Sequence, residues 1–213
     1  MKKGQLIIFE GGEGSGKTTL ISNLKDELVT AGFNVVTTRE PGGTVFAEEV
    51  RQSLIKKRQN DTDYASPRAQ LLGYYAARID HIDKVIKPAL TAGKIVLCDR
   101  FELSSYAYQV HGQETELKSL FCTLHQEVCD LLKGFKLTYF ICVLDPAEGL
   151  KRVFDRQGEI TYFDEMELSF HHRVRQAMKT GQEHIADCFE FHTIDASAPP
   201  VDMVKATRLK LSL

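Results

Sequence analysis

The chain has 213 residues, 43% of them hydrophobic and 26% charged, with 15 Gly and 6 Pro, a composition that excludes disordered, collagen-like and membrane-embedded chains. Its 27 Lys+Arg nearly balance 29 Asp+Glu, and a net charge of −2 lacks the basic footprint of a polynucleotide-binding protein.

A chain of this length buries on the order of 70% of the surface its unfolded form exposes, enough for one domain over residues 1–213 without disulfides. Cys98, Cys122, Cys129, Cys142 and Cys188 form no CxxC pair, and several lie in apolar runs. They are expected as reduced, buried thiols with no metal or redox role. The N-terminus offers two lysines and then, from Leu6, four apolar residues, too few for a signal-peptide core, and no run approaches the ~18 apolar residues of a membrane span. A cytoplasmic protein without a membrane partner is the expectation.

Along the chain, short apolar runs alternate with longer segments of helical period, the pattern of a parallel α/β sheet with helices on both faces. The first strand, 6–9, leads into Gly11, Gly12, Glu13, Gly14, Ser15, Gly16, Lys17 and Thr18, which fit GxxxxGK[ST] at every fixed position. In this strand–loop–helix setting the glycines let backbone N–H groups converge on a phosphate, and the helix N-terminus adds positive potential. Lys17 can reach the outer phosphates, and Thr18 offers a hydroxyl to Mg²⁺. A nucleoside triphosphate site is therefore expected.

A helix over 18–31 is followed by a strand at 35–38 that ends in Arg39, Glu40, Pro41, Gly42, Gly43 and Thr44. Another helix spans 45–57. Over 67–90, Ser66 can cap a long helix, Pro67 suits its first turn, and Leu71, Leu72, Tyr75, Ile79, Ile82 and Ile86 form one stripe. Tyr74 and Arg78, one turn apart at the stripe's edge, can project together into a cleft. The third strand, 95–98, ends in Asp99, Arg100 and Phe101. Strand ends of a parallel sheet share one rim, so Arg39 and Arg100 face the crevice beside the phosphate loop, where a guanidinium can grip a phosphate through two bonds. Asp99 is placed to serve Mg²⁺ directly or through water. Helices at 114–133, 146–156, 165–180 and 201–213 and strands at 137–144 and 189–194 complete the pattern.

A triphosphate site alone allows a small-molecule kinase, a GTPase switch or a motor ATPase. No guanine-reading NKxD element is present, and the DxxG match at 155–158 falls at a helix end rather than after a strand. Motors need more chain, whereas the two arginines suit an acceptor phosphate.

GGEGSGKTT, TREPGGT, LLGYYAAR and DRFELSSYAYQ, in that order, with GLKR and FHTIDAS beyond them, resemble bacterial thymidylate kinases over nearly the whole chain. The resemblance implies a P-loop NTPase-type parallel five-stranded sheet, ATP and dTMP as substrates, Mg²⁺, a role in dTTP synthesis and a homodimer. It implies that Glu13 approaches the sugar 3′-hydroxyl and helps organise the metal, and that Arg39 and Arg100 contact the acceptor phosphate. Tyr74 stands where the family usually has a Phe stacked on thymine. Arg78 matches the base-binding arginine, Ser105 the small polar residue near thymine N3, and Tyr108 and Gln109 the wall that disfavours a 2′-hydroxyl.

Transfer of a γ-phosphoryl group needs a cation on its equatorial oxygens, and the phosphate loop holds no Arg at its variable positions. The resemblance assigns that cation to a lid at about 149–163, through Arg152 or Arg156. The lid departs from the family pattern by one extra residue and by Tyr162 near where a further arginine is common. The basic run Lys56, Lys57 and Arg58 is expected as a solvated helix end, and His171 and His172 do not share a face.

Overall fold

A computed structural model describes residues 4–55, 64–113, 115–155 and 161–211. Five parallel strands, β1 (Gln5–Glu10), β2 (Val35–Arg39), β3 (Ile95–Asp99), β4 (Lys136–Val143) and β5 (Glu190–Asp195), lie in the order β2-β3-β1-β4-β5. The helices are α1 (Lys17–Thr30), α2 (Val45–Ile55), α3 (Pro67–His81), α4 (Lys87–Thr91), α5 (Glu102–Ser105), α6 (Lys118–Leu131), α7 (Pro146–Asp155), α8 (Leu168–Thr180) and α9 (Pro200–Lys210).

The central strands β1, β3 and β4 read as near-continuous apolar runs because both sheet faces are covered there. Leu6 and Ile8 of β1 join Val96, Cys98, Tyr139 and Ile141 under a layer that includes Leu71 and Tyr75 of α3, Phe121 of α6 and Phe170 of α8. Ile7 and Phe9, pointing the other way, pack with Leu20, Leu24 and Leu28 of α1 and Met203 and Val204 of α9. The register sets Asp99 beside both Phe9 and Arg39, so the strand ends flank one another along a single rim. β1 lies at the sheet's switch point, and the glycine loop leaves from it.

Three local differences from the sequence reading have physical causes. The helix expected over 67–90 is interrupted by a π-helical turn, Ile82–Ile86, because Pro88 has no N–H to return to Lys84. The segment after β3, where no element was predicted, is helical: α5 runs into a π-helical stretch, Tyr106–Gly112. Its cap comes from far away in sequence, since Glu10 Oε1 accepts from the N–H groups of Phe101 (2.7 Å) and Ser104 (2.9 Å). The cysteines also depart from expectation. Cys129 and Cys188 are joined in a disulfide and Cys122 is exposed, while Cys98 and Cys142 are buried thiols as expected. Cys129 and Cys188 are 59 residues apart in sequence, and only the packing of α6 against the turn before β5 brings them together.

Candidate active site

The glycine loop takes the backbone shape its motif calls for. Gly14 and Gly16 adopt left-handed φ values of 68° and 76°, and a side chain at Gly14 would collide with the Gly149 carbonyl. Lys17 is buried and folds back over the loop. Its Nζ donates to the carbonyls of Gly11 and Gly12 at 3.0 Å and to Ser15 Oγ at 3.2 Å. Burial and the nearby Arg100 charge lower its pKa from the ordinary lysine range. Thr18 Oγ1 donates to Asp99 Oδ2 at 3.1 Å, and Asp99 Oδ1 is buried with no partner among the described residues. A hydroxyl and a carboxylate with a free oxygen form a hard oxygen set of the kind Mg²⁺ takes.

Beside the loop lies a cavity of about 450 Å³ whose walls include Glu13, Arg39, Tyr74, Arg78, Arg100, Ser105, Tyr108 and Gln109. All the side chains singled out for a second nucleotide therefore meet in one place. Arg100, with φ 68°, is a non-glycine residue in the left-handed region and is held there by its surroundings. Its guanidinium donates to Glu13 Oε1 at 2.6 Å, Ser104 Oγ at 3.2 Å and Tyr108 Oη at 3.3 Å. Tyr108 Oη in turn donates to Glu13 Oε1 at 3.0 Å. Burial works to raise the Glu13 pKa, but Arg100, Lys17 and the Tyr108 hydroxyl outweigh it and hold the carboxyl down to about 2.

On the floor, Arg78 is 3% exposed and donates through Nε to Glu40 Oε2 (2.7 Å) and through Nη2 to Ser105 Oγ (3.0 Å). Its third nitrogen, Nη1, is buried without a hydrogen-bond partner among the described residues. A buried donor left unmade is costly. Tyr74 is also buried, and desolvation pushes its phenol up to about 12, so it stays neutral. At the mouth, Arg39 is half exposed and pairs with Glu48 at 3.1 Å.

Four further residues complete the site. Arg51 of α2 lines the cavity beside Arg39, and burial together with the Arg39 and Arg100 charges lowers its pKa, the mark of cations gathered with too few anions. Its only sequence signal was a charge one turn before Ile55 on the same helix face. Glu40 binds both Arg78 and His81 Nδ1 (3.0 Å), and His81 Nε2 meets Thr38 Oγ1 at 2.6 Å. Glu10, an acid at the end of an apolar strand, caps α5 and was visible only as that anomaly. Arg152 points elsewhere, donating to the Ala196 carbonyl at 3.1 Å and pairing with Glu148. Arg156, like Lys56, Lys57 and Arg58, lies outside the described residues.

A family model described as thymidylate kinase matches residues 9–207. The chain belongs to the thymidylate kinase family. It is 42% identical over 183 residues to a thymidylate kinase of Protochlamydia amoebophila, covering 82% of this chain and 78% of that one. It is 41% identical to one from a Geobacillus species, covering 96% of this chain and 93% of its relative. The crystal structure of thymidylate kinase from Ehrlichia chaffeensis superposes with a TM-score of 0.71 at 30% identity, over 98% of both chains. As a thymidylate kinase, the chain transfers the γ-phosphoryl group of ATP to dTMP, giving dTDP and ADP for dTTP synthesis. No described helix is long and apolar enough to cross a membrane.

Proposed function

We propose that dTMP occupies the cavity with its base at the Arg78 end and its phosphate among Arg39, Arg51 and Arg100, while ATP lies over the glycine loop. The observation that carries this reading is a single cavity whose walls join Arg78 and Tyr74 to Arg39, Arg51 and Arg100. A thymine ring needs one acceptor satisfied at its edge and one flat apolar contact. Ser105 orients Arg78, and Tyr108 with Gln109 closes the sugar side. Glu13, tied to Arg100 and Tyr108, stands between the two nucleotides.

Lys17 and the loop N–H groups hold the β and γ phosphates. Thr18 and Asp99 hold Mg²⁺, which supplies charge neutralisation on the phosphate oxygens when bound. The acceptor oxygen attacks in line, and no enzyme-bound intermediate forms. The charge of the transferred group is met by a lid arginine, Arg156, from a lid over about 149–163. Arg152 ties α7 to the turn after β5. A lid that brings its cation only on closure limits hydrolysis without acceptor.

The whole chain acts as one cytoplasmic kinase domain. Val45 and Phe46 of α2 and Leu72 of α3 are exposed apolar side chains on adjoining helices, which supports a homodimer formed through them. The test is ADP release from ATP with dTMP, dUMP, UMP, CMP or AMP as acceptor. Turnover should require an acceptor, favour dTMP, and show a raised KM for dTMP in Arg100→Ala with the KM for ATP unchanged. Equal use of UMP, or release without acceptor, would overturn the assignment of the cavity.

A further inference from the structure

Behind the nucleoside cavity lies a second cluster that phosphoryl transfer does not use. His125, Cys129 and Cys188 bring one imidazole nitrogen and two sulfurs within 4.8 Å of one another. His125 and Cys129 share a face of α6 at i, i+4 spacing, and Cys188 comes from the turn before β5. His125 Nδ1 lies 3.1 and 3.3 Å from the two carboxyl oxygens of Glu102, and Nε2 points at Cys129 Sγ, 3.3 Å away. Glu102 is fully buried and also accepts from the Tyr75 hydroxyl at 2.9 Å. With Nδ1 donating to Glu102, the Nε2 lone pair faces the sulfurs. A ring whose far nitrogen is held by a buried carboxyl group and whose near nitrogen faces two cysteine sulfurs is the arrangement a metal-binding histidine needs.

We propose that, once the Cys129–Cys188 bond is reduced, Cys129, Cys188 and His125 Nε2 bind a soft divalent cation, Zn²⁺, as a Cys₂His site with one open position. The disulfide and the metal are then exclusive states of the same sulfurs. A dithiol reductant gives two electrons and two protons to the S–S bond and becomes a cyclic disulfide. Each cysteine thiol so formed releases its proton as it takes the metal. Tetrahedral Zn–S bonds of about 2.3 Å require the sulfurs to stand roughly 3.8 Å apart. Cys188 can supply that movement, since it is half buried and sits in a turn, whereas Cys129 and His125 are fixed on a packed helix. Phe121 and Phe189 close the sides of the imidazole with ring centroids at 6.3 and 6.1 Å, and this apolar wall limits water around the ligands. The inference is independent of how dTMP is held.

Cobalt(II) titration of the full chain tests it, since thiolate-bound Co²⁺ gives a strong near-ultraviolet charge-transfer band and tetrahedral d–d absorption. Protein reduced with a dithiol and desalted without oxygen should bind one Co²⁺ per chain, and Zn²⁺ should displace it. Oxidised protein should show no band. Cys188→Ser and His125→Gln should each weaken binding at least about tenfold, while Cys122→Ser leaves the band unchanged. Turnover of ATP with dTMP by Cys188→Ser confirms that this variant is folded. A reduced chain whose two thiols react with a mass tag yet gives no cobalt band overturns the proposal. So does a Co²⁺ affinity left unchanged by Cys188→Ser or lost in Cys122→Ser.

Discussion

The two ends of the active site are built by opposite means. At the nucleoside end, Arg78 and Glu40 are both 3% exposed, braced by His81 and Ser105, and Arg100 is tied to Glu13 and Tyr108. At the cavity mouth, Arg39 is held by a surface partner, Glu48, with side chains 56% and 40% exposed. Recognition is fixed by folding, because rearranging a buried ion pair would strand a charge. Charge delivery is left free, because surface pairs are worth about 0–1 kcal/mol and exchange readily for phosphate. The floor of the cavity is thus part of the core, and its mouth is not.

The sharpest test of that contrast lies in the lid. Arg156→Ala should lower kcat by at least ~10² with little change in nucleotide affinity, since the interaction it removes exists only in the transition state. Steady-state kinetics beside equilibrium binding of ATP separates the two. Arg152→Ala, which removes a tether between α7 and the Ala196 carbonyl, should cost less than about tenfold. Were the large loss to fall on Arg152, the role would move to it.

The same contrast predicts that two arginines of one cavity differ in what they do for stability. Arg78→Ala leaves Glu40 charged and buried with one partner fewer, and should cost about 3–5 kcal/mol in urea unfolding. Arg39→Ala removes a surface pair and should cost under ~1 kcal/mol while still raising the KM for dTMP. Equal losses of stability would erase the distinction between the two ends.

What the sequence disclosed divides along similar lines. The five strands and the glycine loop were legible because their signals are local, in apolar runs and a fixed motif. So were Tyr74 and Arg78, since helical spacing alone puts them on one side. Glu40, His81 and Arg51 were not, because their importance comes from partners in other elements. The helical stretch after β3 was missed for the same reason, its cap being Glu10 on β1. The Cys129–Cys188 bond could not be read at all, since no spacing rule joins residues 59 positions apart.

Glu13 spans the two ends, and pH probes it. Its carboxyl titrates near 2 in the fold against 4.5 unfolded, so its contribution, roughly 3 kcal/mol, is complete above pH 4.5 and fades as pH falls toward 2. The gap in unfolding free energy between the parent chain and Glu13→Gln should therefore be constant above about pH 5 and shrink in acid. Other carboxylates titrate in both proteins and cancel. A gap that stayed level down to pH 2.5 would mean that Arg100 does not depend on this carboxylate.

The smallest expected effect is the most informative about base recognition. The phenol of Tyr74 is buried and neutral, so what it gives a thymine is its ring face, and the hydroxyl is incidental. Tyr74→Phe keeps the face and should change the KM for dTMP by less than about threefold, whereas Tyr74→Ala, losing roughly 1.4 kcal/mol or more of stacking and burial, should raise it at least about tenfold. If Phe and Ala were equally harmful, the hydroxyl would be the contact that matters, and Tyr74 would read the base by hydrogen bond.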